Sequence, residues 1–76
     1  MRVGREPAMN LDLRQAIVTR VQGKSEEELT GIIVDSVDSV EQALPGLGVL
    51  FEIIWKHADE STQQSLVHTL KTSLPQ

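Results

Sequence analysis

Apolar residues fall in four blocks along the chain, and inside each block the spacing is helical. Leu13, Ile17 and Val21 recur every four residues, flanked by Leu11, Ala16 and Val18. That stripe predicts an amphipathic helix of about three turns. Asn10 offers an N-cap, Asp12 suits the positive end of the helix dipole, and Gly23 after Arg20 is a left-handed C-cap candidate. A second block opens on Ser25-Glu26-Glu27-Glu28, in which a Ser three residues ahead of a Glu forms a capping box. Leu29, Ile32, Ile33, Val37, Val40 and Leu44 then carry one stripe to Pro45, with Asp35, Asp38 and Glu41 on the other side. The β-branched residues would suit a strand, but strict alternation is absent and the spacing of three and four predicts helix. Gly31 weakens its early part by about 1 kcal/mol relative to Ala.

Pro45 ends that stripe and starts a third block, since Pro is favoured at a first helical position. Leu47, Val49, Leu50, Phe51, Ile53, Ile54 and Trp55 leave almost no polar face, and a helix of that kind normally sits at the centre of a fold. Glu52 and Lys56 stand at i and i+4, an ion-pair spacing. The fourth block opens on Asp59-Glu60-Ser61, where Ser61 and Gln64 have the spacing of a second capping box. Leu66, Val67, Leu70 and Leu74 supply its buried edge, and Pro75 stops it. The sum is an all-α chain: a compact four-helix arrangement around a central apolar helix at about Pro45–Ala58. Residues 1–8 are expected to be a disordered extension, with 9–76 as a single helical domain. The third helix carries more apolar surface than three short neighbours readily cover, which leaves a second copy or another protein as a partner for it.

Size and composition narrow the functions. A core built from 76 residues rarely leaves more than ~3–5 kcal/mol of net stability without help. Cysteine is absent, so disulfides and thiolate metal sites are excluded, and two histidines are too few for a structural zinc without carboxylates. Seven Lys or Arg stand against eleven Asp or Glu, and the bases are scattered among the acids. The general electrostatic footprint of a nucleic-acid binder is missing. In strong acid the carboxylates become neutral while the seven bases and two histidines stay cationic, which keeps even an unfolded chain soluble. The first eight residues lack an apolar signal region, and no run approaches the ~20 apolar residues of a membrane span, so an intracellular protein is expected. Met9 is a possible internal start, as an alternative to Met1.

Each candidate site has a plainer reading that outweighs it. Pro45-Gly46-Leu47-Gly48 precedes apolar residues as an anion cradle would, but it lacks the Lys-Ser/Thr of a phosphate loop. Phe51 stands where a dinucleotide fingerprint needs its third Gly. The glycines are better explained by close approach of a neighbouring helix or by a tight turn. His57 and His68 have no nucleophile at a recognisable spacing, and His57 near a helix end is expected to cap it. Glu26–Glu28, Asp35 with Asp38, and Asp59 with Glu60 lack the calcium-loop pattern and read as caps and solvated faces. Trp55 in an apolar helix is expected to anchor the core, and with Phe51 alone beside it no base-stacking platform can be assembled. No catalytic, cofactor-binding or metal-binding residues are assigned, and no cofactor is expected. An interfacial membrane role is disfavoured because the polar residues are mostly acidic.

The block from Leu44 to Asp59, Leu-Pro-Gly-Leu-Gly-Val-Leu-Phe-Glu-Ile-Ile-Trp-Lys-His-Ala-Asp, resembles the small, acid-soluble spore proteins of the I type from endospore-forming bacteria. The resemblance extends back through Ile33-Val34-Asp35 to Met9-Asn10-Leu11-Asp12-Leu13-Arg14, and the segment before Met9 lies outside it. It implies a minor, non-enzymatic protein made in the forespore and held in the spore core. The DNA-coating spore proteins are a different family, and their sequence pattern is absent here. Two other readings follow from the residues themselves. One is a DNA-associated spore protein using Arg14, Arg20 and Lys24; the other is a helical adaptor presenting the apolar third helix to a partner.

Overall fold

A computed structural model describes residues 8–75. Four α-helices follow one another: α1 (Ala8–Val21), α2 (Glu26–Ser36), α3 (Leu44–His57) and α4 (Glu60–Ser73), with a 3-10 turn at Glu41–Ala43 leading into α3. Among the described residues there is no strand. The all-α, four-helix expectation holds. The expected extension at residues 1–8 falls outside the described residues, except for Ala8, which opens α1.

Local chemistry explains most of the boundaries. The capping box forms as its spacing predicts: the Glu28 N–H donates to Ser25 Oγ at 3.1 Å, and the Ser25 N–H donates to Glu28 Oε1 at 2.9 Å. Gly23 takes φ +78°, the left-handed turn that ends α1 at little steric cost. The start of α1 differs from expectation, because the helix begins at Ala8 and puts Asn10 and Asp12 inside it rather than at its mouth. Ala8 and Met9 are strong helix formers, and nothing in them stops the helix from running two residues further back. At the start of α4 the cap is Asp59, whose Oδ1 accepts the Thr62 N–H at 2.8 Å, while Ser61 lies within the helix. A carboxylate two residues earlier is at least as good a cap as the hydroxyl of Ser61, and its charge also suits the helix dipole.

The largest departure is in the second block. The stripe expected to run unbroken from Leu29 to Leu44 stops as a helix at Ser36. The Ser36 hydroxyl donates to the Ile32 carbonyl at 2.8 Å, Val37 is extended, and Asp38 adopts φ +59°. Residues 35–40 read Asp-Ser-Val-Asp-Ser-Val, every one a weak helix former. The Asp and Ser side chains also compete for backbone hydrogen bonds. The apolar spacing persists through the break, with Val40 and Leu44 flanking the 3-10 turn, but the backbone does not follow it.

α3 is the hub. α1 and α2 pack on it, and after the corner at Ala58-Asp59 α4 meets it only along a shared groove. A Cβ added at Gly46 would stand 3.3 Å from Ile17 Cδ1, so α1 approaches α3 tightly there. Gly48 faces open space and has no such role. Val49, at 7% exposure, is the one buried side chain among the described residues. The central helix is therefore only partly covered by its three neighbours, as the excess of apolar surface read from its sequence predicts. α1 and α2 cover one side of it and leave the side toward α4 bare.

Candidate protein-association surface

Two sides of α3 have opposite character. On the α1 side, Arg14 reaches across to Glu52 in a two-pronged pair, Nε to Oε1 at 2.8 Å and Nη2 to Oε2 at 2.9 Å. The Arg14 guanidinium holds the Glu52 carboxyl below its ordinary value and is itself held more strongly protonated. Lys56, the partner expected from i, i+4 spacing, adds only a lesser attraction. An Arg fork matches a carboxylate in two places at once, which an ammonium cannot do. A lone acid in an otherwise apolar run is the sequence signal that such a partner is needed. Nothing in the sequence says which base supplies it.

On the other side, Phe51 and Trp55 of α3 and Leu66, Val67 and Leu70 of α4 line a shallow, almost wholly apolar groove of about 580 Å³. Phe51 is 49% exposed, Trp55 36% and Leu70 59%. The two rings stand 6.0 Å apart at 36°, a tilted contact within one helix face. Trp55, expected as a core anchor, is instead a wall of this groove. Gln63 pins the corner by donating from Nε2 to the Trp55 carbonyl at 2.8 Å, a second donor to an oxygen that also accepts the Ala58 N–H at 3.4 Å. Trp55 and Val67 also line a neighbouring concavity that includes Glu60, Gln64, His68 and Lys71, so the apolar floor grades into a polar rim on α4.

The remaining candidates lie apart from one another. His57 caps α3, its Nδ1 donating to the Ile53 carbonyl at 2.9 Å, while His68 sits on the rim of α4. Glu28 is engaged in the α2 cap, where the Ser25 N–H and hydroxyl hold its carboxyl below the ordinary range. Asp59 is held low in the same way by Thr62. Pro45, Gly46 and Gly48 form the first turns of α3 rather than a loop ahead of it. Among the described residues, no group of three or more His, Asp or Glu side chains is placed to hold a metal ion. Of the three bases considered for DNA, Arg14 is taken up by Glu52, while Arg20 and Lys24 border a separate hollow between α1, α2 and α3. No helix among the described residues is long and apolar enough to cross a membrane.

Comparison with known proteins gives one consistent result. The sequence profile of small, acid-soluble spore protein I matches residues 11–74. This chain belongs to that family. A small, acid-soluble spore protein I of Bacillus licheniformis is 51% identical over 67 residues, covering 87% of this chain and 96% of the relative. Those of Bacillus subtilis and Shouchella clausii are each 48% identical over 67 residues, again 87% of this chain, and cover 94% and 97% of the relative. No solved structure matches the chain. The resemblance read from the Leu44–Asp59 block is thus borne out, and the profile runs from the first turn of α1 through the end of α4 in this spore protein. The block that carries the resemblance is also the one that presents the bare face of α3.

Proposed function

We propose that this spore protein is a non-enzymatic component of the spore core, made in the forespore, that works by protein association through the α3–α4 face. The carrying observation is the groove itself, with Phe51, Trp55, Val67 and Leu70 exposed side by side on a chain that buries only Val49 among its described residues. Exposed apolar groups gathered in one place are the mark of an association surface. Membership of the small, acid-soluble spore protein I family supports both the spore and the non-enzymatic part.

The test is made in the source bacterium. Abundance followed through sporulation should rise only in forespores, and deletion should leave vegetative growth unchanged. Crosslinking from purified spores should attach protein to a photoreactive group placed at Phe51 and not to one placed at Glu26, on the far cap of α2. Equal amounts in growing cells, or equal crosslinking at both positions, would count against the proposal. The DNA-associated reading gains no support from the structure, since Arg14 spends its charge on Glu52.

A further inference from the structure

The α3–α4 groove is flanked by charges in an order that identifies its occupant. Glu60, Gln64, Val67 and Lys71 follow one another at steps of four, three and four along α4, so they share one line on its surface. All four border the concavity that contains Trp55. An acid stands at one end of that line and a base at the other, about 16 Å apart at 1.5 Å per residue, with neutral residues between them. A second copy of the same surface, turned by half a rotation, sets its Lys71 on Glu60 and its Glu60 on Lys71. The turning point falls between Gln64 and Val67. Trp55 lies at that level, because Gln63 bonds its carbonyl and Val67 lines the groove beside it.

We propose that the occupant is a second copy of this chain, joined in an antiparallel, two-fold contact with Trp55 near the centre and two Glu60–Lys71 pairs at the ends. This deepens the association reading above and rests on it. Central aromatics with a charged rim are the usual anatomy of such a contact, and a two-fold axis requires each patch to match itself. The chain's own leading segment is a poor competitor, since residues 1–7 carry two Arg and a Glu and offer little apolar surface. The area sets the strength. Large aromatic side chains bury ~150–250 Å² each, and Phe51 and Trp55 leave a third to a half of themselves exposed. With Val67, Leu70 and the glutamines, the face offers on the order of 500 Å² per copy, below the ~800 Å² of a standard interface. The dimer therefore forms and dissociates with concentration, in the micromolar to sub-millimolar range.

The chain has one Trp and no Tyr, so its intrinsic fluorescence reports Trp55 alone. On raising the concentration from about 1 μM to about 1 mM, sedimentation should pass from monomer to dimer, and the Trp55 emission should shift to the blue over the same range. Glu60→Lys alone and Lys71→Glu alone each convert both end contacts to repulsion and should weaken association roughly tenfold. The double variant Glu60→Lys with Lys71→Glu restores both contacts and should recover most of it. Helix content by circular dichroism checks that each variant is folded. A chain that stays monomeric with unchanged emission at about 1 mM overturns the proposal, as does association that the double variant fails to recover. Either outcome, with Phe51 still crosslinking to another protein in spores, leaves the association reading standing and removes the second copy from it.

Discussion

Two glycines in the first turns of α3 differ in one physical respect, and that difference predicts opposite responses to the same substitution. A Cβ at Gly48 meets nothing within 4 Å, whereas one at Gly46 meets Ile17 Cδ1 at 3.3 Å. Replacing a helical Gly by Ala gains about 0.8–1.0 kcal/mol by restricting the unfolded chain. Gly48→Ala, in open space, should keep nearly all of it. For a domain of this size that raises the thermal midpoint by roughly 4–8 °C. Gly46→Ala must push the end of Ile17 aside by a few tenths of an ångström, and it sits so near the helix start that the propensity gain is smaller. Its net effect should be close to zero, or a loss if α1 is displaced. Urea titration of the three chains side by side, monitored by helix signal at a concentration where all are monomeric, gives the two differences directly. Equal stabilisation by both substitutions would refute the close approach of α1 to α3 at Gly46.

Other consequences are equally direct. Ser25→Ala should cost about 1 kcal/mol through loss of the α2 cap, while Ser61→Ala should be nearly neutral because Asp59 caps α4; denaturant midpoints distinguish them. The carboxyls of Glu28, Glu52 and Asp59 are all held below their ordinary values of 4.5, 4.5 and 3.8 in the folded chain. Groups with lowered folded values contribute stability that is fully present above those ordinary values and is lost as the pH falls through the depressed ones. Helix content should be flat from pH 7 to about 5 and denaturant resistance should fall below about 4.5, with the chain remaining dissolved; an unchanged denaturant midpoint down to pH 2 would contradict this. Asp38→Gly should be neutral to slightly stabilising, since φ +59° is strained for a residue with a side chain, and thermal melts would show it.

Much of this fold is legible in the sequence because its determinants are local. The Ser25–Glu28 box, Gly23 after the first helix and Pro45 in the first turn of α3 each act within a few residues, and all three act as their spacing says. The misreadings come from two sources. At Asp35–Val40 the apolar period continued while helix propensity failed, and the backbone obeyed propensity. At Glu52 a local rule offered Lys56, but Arg14 on another helix offers a fork that fits a carboxylate better. The bare face of α3 is a third kind of fact. Composition shows that the helix is apolar all round, yet only the lie of α1, α2 and α4 decides which side is covered. The candidate surface was therefore legible as a set of residues and not as a groove.

The absence of native cysteine makes the central claim, that α3 is shielded by α1 and α2 and bare beside α4, open to one measurement. Single variants Val49→Cys and Phe51→Cys can be labelled with a thiol reagent in dilute solution, where the chain is monomeric, and each rate compared with that of the same variant in denaturant. The account predicts strong protection at Val49→Cys and labelling of Phe51→Cys within a few-fold of its unfolded rate. Equal, strong protection at both positions would show α3 to be enclosed on all sides and contradict it.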